Sequence, residues 1–277
     1  MKSENATRCR ICNSPSDPIF ELEVLGKYQA EFHQCTKCAF VYIVNPFWLV
    51  ESFKSELNGL DIGSVDRCLV VADFVDSFVG SANDRNRVFL DWGGGYGLLA
   101  RLMRDRGLNF ESYDPFVSPL FTEPANNQVG NRYELVTLSE VVLHLTDPVE
   151  VLREILLTSD LVLFTAVIAP ETIPVGWWYL MPETGQHVAI YHVRTLDALA
   201  QELGVRITSD GRFFHVLHRN RLGIKRCLII KYRSLAFAIA WAKATKRTIK
   251  RGLGINASLT PGDQAKLINN LRRNEEL

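Results

Sequence analysis

The stretch that decides the fold reads FLDWGGGYGLLARLMRDRG and covers residues 89–107. Residues 87–92 (RVFLDW) are a short apolar run that predicts a strand. The apolar residues after the glycines share one face of a predicted helix; they are Leu98, Leu99, Leu102 and Met103. A glycine turn between a strand and a helix lets backbone amides approach a ligand at the positive end of the helix dipole. The stretch therefore predicts a ligand-binding turn.

The spacing of the glycines narrows the kind of ligand. A dinucleotide fingerprint has the pattern G-x-G-x-x-G and holds a pyrophosphate. Here Gly93, Gly95 and Gly97 alternate instead. Asp91 lies two residues before the first of them, where its charge would repel a pyrophosphate. The arrangement favours a zwitterionic ligand that carries an ammonium group.

Strands and helices alternate through the neighbouring sequence. Apolar runs predict three further strands, at 110–114, 133–139 and 161–168. Helices are predicted after Asp147, a favourable N-cap, and over 195–204, which ends in glycine. Residues 205–218 place the turn Asp210-Gly211 between two β-type runs, which predicts an antiparallel hairpin. The pattern predicts an α/β fold with a doubly wound sheet and an antiparallel C-terminal hairpin.

Three of these segments resemble a known family. LDWGGGYG (90–97) resembles the first motif of class I S-adenosylmethionine-dependent methyltransferases, and YDP (113–115) resembles their second. YELVTLSEVVLHLTDP (133–148) is similar to the next segment of that family. The resemblance covers residues 86–218 and implies a Rossmann-like fold that binds S-adenosylmethionine.

The resemblance also implies which residues bind the cofactor. They are Asp91, Gly93, Gly95, Gly97, Asp114, Leu138, Ser139 and Glu140. Asp91 and the glycine backbone would face the methionine half of the cofactor. Asp114 would accept hydrogen bonds from both ribose hydroxyls, a role that a carboxylate fills in nucleotide sites. Residues 138–140 would border the bound methionine.

Four of the six cysteines form two Cys-x-x-Cys pairs, Cys9 with Cys12 and Cys35 with Cys38. Two such pairs can place four thiolates tetrahedrally around zinc. In a chain without an export signal, paired cysteines indicate metal ligands before disulfides. A closed four-sulfur site leaves no position for water, so the predicted zinc is structural and stabilises a ribbon with a thin core.

Residues 176–192, GWWYLMPETGQHVAIYH, are rich in aromatic and polar side chains and follow the apolar run at 161–168. Flat rings cover the apolar faces of a sugar, and polar groups bind its hydroxyls. PETGQHVAIYH (182–192) resembles a segment of methyltransferases of surface-polysaccharide pathways. The zinc-like N-terminus followed by this type of methyltransferase is similar to bacterial sugar methyltransferases that act on nucleotide-linked deoxysugars. Together they imply O- or C-methylation of a sugar or glycan that is nucleotide- or lipid-linked. His187 is the candidate base, supported by Glu183 or Tyr191, and His144 is its competitor.

The C-terminal part of the chain is strongly basic. The chain has 31 basic and 31 acidic side chains overall, yet Gly211 to Gly262 contains 12 Lys/Arg and no Asp or Glu. As a helix, this segment could lie on an anionic membrane surface or dock on the acidic remainder of the chain. No run has the core of a signal peptide or the ~20 apolar residues that cross a bilayer. The sequence predicts a cytoplasmic protein. If the basic segment binds an anionic membrane, the protein would lie at the inner face of that membrane.

The sequence divides into four predicted parts. They are a zinc-binding ribbon (1–45), a helical linker (46–85), an S-adenosylmethionine-binding methyltransferase domain (86–218) and a basic, mainly helical C-terminal extension (219–277). One alternative function is an RNA methyltransferase, because a ribbon and a basic tail can bind phosphates. The cations of the ribbon are offset by acids, which disfavours nucleic acid as a partner. The other alternative is a non-catalytic scaffold of a polysaccharide assembly complex.

Overall fold

The computed structural model describes residues 7–53, 61–80, 86–122, 124–125, 132–253, 255 and 258–265. The fold is α/β with a mixed central sheet, as the sequence predicts. Residue contacts divide the chain into two compact units. The first unit comprises Met1–Ile62 and Leu138–Leu222, and the second comprises Gly63–Thr137 and Gly223–Leu277.

The first unit begins with an antiparallel sheet. Its strands are β1 (Ser16–Val24), β2 (Tyr28–Cys35), β3 (Val41–Ile43) and β8 (Ala189–Ile190), hydrogen-bonded in the order β1-β2-β3-β8. The short helix α1 (Leu49–Ser52) follows β3. One buried apolar cluster joins Phe32, Val41 and Trp48 to Tyr179 and Ile190. The cysteine segment therefore shares its sheet and its core with residues far along the chain.

The rest of the first unit contains part of a second sheet, which ends in the antiparallel hairpin. The strands here are the end of β6 (Leu135–Ser139), β7 (Leu161–Thr165), β9 (Arg206–Ser209) and β10 (Phe214–His218), in the order β6-β7-β10-β9. β10 pairs antiparallel with both β7 and β9, which confirms the predicted hairpin. At its turn, Gly211 has a φ of 70° and the Asp210 carboxylate accepts hydrogen bonds from following backbone amides.

Two helices accompany these strands, α4 (Pro148–Thr158) and α5 (Val193–Leu203). The Asp147 carboxylate accepts a hydrogen bond from the backbone amide of Glu150 (3.0 Å), so the predicted N-cap is confirmed. Gly204 ends α5 with a φ of 65°, a conformation that glycine adopts readily.

The second unit holds the strand, glycine turn and helix of the opening stretch. β4 (Val88–Trp92) lies between β5 (Asn109–Tyr113) and the start of β6 and is parallel to both. The register places Asp91 opposite Ser112 on one side and Thr137 on the other. The helices of this region are α2 (Ser64–Val79) and α3 (Leu98–Asp105).

The basic extension forms helices α6 (Ile224–Lys231) and α7 (Arg233–Gly252) of the second unit. The buried carboxylate of Asp76 on α2 binds two cations of α7, Lys243 Nζ at 2.9 Å and Arg247 Nη1 at 2.7 Å. Ser77 Oγ donates to the carbonyl of Ala236 at 2.6 Å. These contacts join α7 to α2. Loss of one partner would leave a buried charge unpaired, which is strongly destabilising.

Within the part of the chain that the structure describes, none of the helices combines the length and the apolar character that crossing a membrane requires. Residues 54–60 and 81–85 of the predicted linker and residues 266–277 of the predicted extension lie outside the described residues.

Candidate cofactor loop, acceptor cluster and metal centre

The glycine loop after β4 uses its glycines for two different physical reasons. Gly93, Gly95 and Gly97 have φ values of 71°, 55° and 83°, in the left-handed region that side chains disfavour. Gly94 has no positive φ, yet a Cβ at Gly94 would lie 2.5 Å from both Asp91 Oδ2 and Ser112 Oγ. The alternating pattern in the sequence predicts roles for Gly93, Gly95 and Gly97 and misses Gly94. The run of three consecutive glycines at 93–95 was the signal that could have pointed to Gly94.

Asp91 is a buried carboxyl group at the end of β4. Its Oδ1 accepts a hydrogen bond from Thr137 Oγ1 at 2.8 Å. Burial raises the pKa of Asp91 to about 7, with the charge of Asp114 adding to the effect and the Thr137 hydrogen bond opposing it. A cation beside the carboxylate would favour the charged form. The environment of Asp91 therefore suits a ligand with an ammonium group.

We expect Asp91→Asn to raise the midpoint of thermal unfolding at pH 8 by about 3 °C or more. The folded pKa lies near 7, above the ordinary value of 3.8. The folded state therefore binds more protons than the unfolded state between these values, and stability falls as pH rises through that range. The increase in the unfolding midpoint of Asp91→Asn over the wild type should therefore shrink as pH falls from 7 towards 4.

Thermal unfolding across pH 4–8 measures this effect, with the exposed Asp197→Asn as the matched control. Asparagine keeps an oxygen that can accept the Thr137 hydrogen bond, so the variant changes charge with little change of shape. A lower unfolding midpoint for Asp91→Asn at pH 8 would contradict the burial argument.

The Asp114 carboxylate joins the glycine loop to the segment that follows β5. Its Oδ2 accepts a hydrogen bond from the Gly95 amide at 2.9 Å. Its Oδ1 accepts from the amides of Phe116 and Val117 at 2.8 and 3.2 Å. The residue predicted to bind ribose thus lies against the glycine loop and orders the backbone on both sides of the site.

Two buried hydroxyl oxygens beside the loop, Ser112 Oγ and Thr122 Oγ1, have no hydrogen-bond partner among the residues that the structure describes. A Cβ at Gly97 would lie 2.9 Å from Thr122 Oγ1, so this hydroxyl also lies against the glycine backbone. Buried hydroxyl groups normally have a polar partner. With the Asp91 carboxyl group, they fit the amino and hydroxyl groups of the cofactor that the resemblance implies.

A second polar cluster lies in the first unit, after the carboxyl ends of β6 and β7. The Tyr179 hydroxyl donates to Glu140 Oε2 at 2.8 Å and accepts from the Val167 amide at 3.0 Å. The Tyr179 carbonyl is 2.5 Å from His187 Nδ1. Because a carbonyl only accepts, Nδ1 carries the proton, and the lone pair of a neutral His187 is on Nε2. The buried His187 ring is therefore oriented as a proton acceptor at Nε2.

Aromatic rings surround this cluster. The ring of Tyr179 lies 5.2 Å from that of Trp178, 5.4 Å from that of Trp177 and 5.0 Å from that of His187, measured between centroids. His144 lies 5.5 Å from His187 by the same measure. Trp178 is 68% exposed, so most of its aromatic surface faces solvent.

The other residues predicted for this region have varied surroundings. Tyr191 is buried, its hydroxyl donates to the Val142 carbonyl at 2.9 Å, and burial raises its pKa well above the usual range. Glu183 is exposed. Leu138 is buried and Ser139 is half-buried. Tyr179 belongs to the aromatic run that the sequence analysis assigns to the acceptor, but its hydrogen bonds with Glu140 and His187 were not predicted, because they have no local signal in the sequence.

The four predicted metal ligands meet in the first unit. The Sγ atoms of Cys9, Cys12, Cys35 and Cys38 all lie within 4.8 Å of one another. Cys9 and Cys38 are 3.6 Å apart and Cys12 and Cys35 are 3.4 Å apart between sulfurs. A tetrahedral zinc site with Zn–S bonds of about 2.3 Å needs sulfurs about 3.8 Å apart. The cysteine cluster therefore fits zinc.

Hydrogen bonds and burial shape the acidity of these thiols. The amides of Ile11, Lys37 and Cys38 each lie 3.4 Å from a cysteine sulfur, Cys9 Sγ for the first and Cys35 Sγ for the other two. The hydrogen bond from Cys38 lowers the pKa of Cys9 to about 5, whereas the same bond and burial raise the pKa of Cys38. A central cation would favour the thiolate form of all four groups.

An α/β sheet with a glycine loop and an acid at the end of one of its parallel strands is typical of a Rossmann-like cofactor-binding domain. The chain belongs to the methyltransferase-domain family, whose model matches residues 66–210. No curated protein matches the chain.

Several solved structures are similar in fold. Mitomycin 7-O-methyltransferase is 14% identical over 63% of this chain and 60% of its own, with a TM-score of 0.48. A methyltransferase of calicheamicin biosynthesis, with S-adenosylhomocysteine bound, is 16% identical over 64% and 60%, with a TM-score of 0.45. Magnesium protoporphyrin IX methyltransferase from Synechocystis PCC 6803 is 15% identical over 59% and 86%, with a TM-score of 0.40. The chain thus spans 60% of the length of the first two structures.

Proposed function

We propose that the protein transfers a methyl group from S-adenosylmethionine to a sugar or glycan intermediate, by O- or C-methylation, in deoxysugar or surface-polysaccharide biosynthesis. The acceptor is nucleotide- or lipid-linked. The observation that carries the proposal is the cluster of Glu140, Tyr179 and His187 beside the exposed ring of Trp178. The family match supports methyl transfer as the reaction.

The glycine loop and two acids are the proposed cofactor site. S-adenosylmethionine, when bound, supplies an electrophilic methyl group on a positively charged sulfur. The buried carboxyl group of Asp91 and the backbone of Gly93, Gly95 and Gly97 would hold its methionine half. Asp114 would accept hydrogen bonds from the ribose hydroxyls, and one hydroxyl would replace a backbone amide that now donates to its carboxylate. Residues 138–140 are proposed to border the methionine.

His187 is the proposed base. Its Nε2 takes the proton from the acceptor hydroxyl, or from an acidic C–H group, as the acceptor atom gains the methyl group. The Tyr179 carbonyl holds the ring in the required tautomer and accepts from Nδ1–H in the imidazolium that forms. The Tyr179 hydroxyl, bound to Glu140, fixes the position of that carbonyl. Glu183 and Tyr191 remain predicted supports of His187.

The aromatic side chains favour a sugar as the acceptor. Trp177 is half-buried and Trp178 is exposed, and the buried ring of Tyr179 supports Trp178 from below at an angle of 67°. Such rings cover the apolar faces of a pyranose, and neighbouring polar groups bind its hydroxyls.

The four-cysteine cluster is the proposed site of a structural zinc ion. Four thiolates close the coordination sphere, so the metal would take no part in methyl transfer. The hydrogen bonds from backbone amides to sulfur support thiolate ligands.

The proposal is tested with tritium-labelled S-adenosylmethionine and a panel of candidate acceptors. The panel contains dTDP-, GDP- and UDP-linked hexoses, polyprenyl-diphosphate-linked hexoses and bulk RNA. Label in a sugar acceptor supports the proposal. Label in RNA alone overturns it in favour of an RNA methyltransferase. A folded, zinc-loaded protein that fails to bind S-adenosylhomocysteine would indicate a non-catalytic scaffold.

His187→Ala is expected to lower kcat by about 10²- to 10⁴-fold, the usual contribution of a general base. The affinity for S-adenosylhomocysteine should stay within about twofold, because the predicted base acts on the acceptor. Steady-state kinetics with the acceptor from the panel and calorimetry with S-adenosylhomocysteine measure the two effects.

His144→Ala is the matched comparison, since its ring lies beside that of His187. A larger loss of kcat in His144→Ala than in His187→Ala would reassign the base. Full activity of both variants would exclude a histidine base in this cluster.

A further inference from the structure

Helix α7 contacts α2 through small and charged side chains. The side that faces α2 carries the small residues Ala236 and Ala240, both buried, and the cations Lys243 and Arg247. A helix on a soluble core normally buries its large apolar residues and exposes its charges. Here the docked side is held by small side chains and ion pairs.

Three large apolar side chains of α7 lie on its outer side, whereas Phe237 and Ile239 are half-buried. Trp241 is 74% exposed, Ile249 is 60% exposed and Leu235 is 38% exposed. At 3.6 residues per turn, these three positions fall within an arc of about 120°. Ile224, Leu228 and Tyr232 are also exposed, on and just after α6. We call the exposed side chains of these two helices the outer face of α6 and α7.

Positive charge accompanies the outer face. Lys246 and Lys250 of α7 are exposed, as are Lys225 and Lys231 of α6. The sequence from Gly211 to Gly262 carries 12 basic and no acidic residues. Tryptophan prefers the level of lipid head groups, and lysine and arginine side chains are attracted to an anionic leaflet.

We propose that the outer face of α6 and α7 docks on the surface of an anionic lipid bilayer. Trp241 and Ile249 enter the interface while the lysines contact lipid phosphates. A second copy of the chain is a poor partner, because a symmetric contact would bring basic faces together. Nucleic acid would leave the apolar side chains without a partner. The inference does not depend on the proposed activity.

The test is co-sedimentation of the 277-residue chain, purified in the presence of zinc, with two kinds of vesicle. One kind is pure phosphatidylcholine, and the other contains about one third phosphatidylglycerol. We expect binding to the anionic vesicles at least about 10-fold tighter than to the neutral ones, weakening with salt. Changing both Trp241 and Ile249 to serine should lower that binding by at least about 10-fold.

Trp178→Ser is the matched control, because Trp178 is also an exposed tryptophan and lies outside α6 and α7. Its vesicle binding should equal that of the wild type. Equal binding to both kinds of vesicle, or none to the anionic kind, would overturn the proposal. So would capture of RNA in preference to vesicles, or a Trp241-dependent dimer in analytical ultracentrifugation without lipid.

Discussion

Cys38→Ser is expected to abolish zinc binding and to unfold the four-stranded sheet of the first unit at room temperature. The four sulfurs lie within 4.8 Å of one another, in a site where each supplies one ligand. Structural zinc contributes an apparent ~10–16 kcal/mol to folding in small domains. That contribution is comparable with the whole stability of a typical domain, about 5–15 kcal/mol. Metal content by mass spectrometry and circular dichroism measure the two effects.

The chain supplies its own controls in Cys68 and Cys227, which lie outside the cluster. Cys68→Ser and Cys227→Ser should each still bind one zinc ion per chain. Each should also unfold at a midpoint close to that of the wild type. Because the Cys38 carbonyl that accepts from Thr195 is a backbone group, the substitution leaves that hydrogen bond intact. A Cys38→Ser protein that keeps its sheet without metal would refute the structural role of zinc.

Gly94→Ala is expected to weaken S-adenosylhomocysteine binding by about 10- to 100-fold, since forcing an extra methyl group into a packed site typically costs about 1–3 kcal/mol. The added methyl group would lie 2.5 Å from Asp91 Oδ2 and from Ser112 Oγ. One of these side chains must move, and both belong to the proposed cofactor site. Calorimetric titration measures the affinity.

Gly223→Ala is the control, because a Cβ there meets no atom within 4 Å and its φ is −65°. It should bind S-adenosylhomocysteine with the wild-type affinity. Thermal unfolding and zinc content of Gly94→Ala separate a local change in the loop from a loss of the fold. Wild-type affinity in a folded Gly94→Ala protein would show that the loop does not contact the cofactor as proposed.

The sequence predicted much of the fold because the signals are local. Glycine at positions 93, 95 and 97 indicates left-handed backbone, and the structure has it at all three. Asp147 caps its helix and the Asp210-Gly211 turn closes its hairpin, as predicted. Each of these features depends on a few consecutive residues, so the spacing in the sequence contains the needed information.

The contacts of the candidate site were harder to predict because they join distant parts of the chain. Tyr179 reaches Glu140 across 39 positions, and β3 finds its partner β8 nearly 150 residues later. Neither contact has a local signature. The docked side of α7 is a similar case, since an amphipathic helix can bury either side. The ion pairs with Asp76 and the burial of Ala236 and Ala240 show which side is docked.

The sequence by itself determined the glycine loop, the paired cysteines and the order of strands and helices, because backbone preference and ligand spacing act over a few residues. The tertiary structure decided why Gly94 must be glycine, which nitrogen of His187 holds the lone pair and which face of α7 meets solvent. These properties depend on atoms brought close by folding, and burial and distance are defined only once the chain has packed.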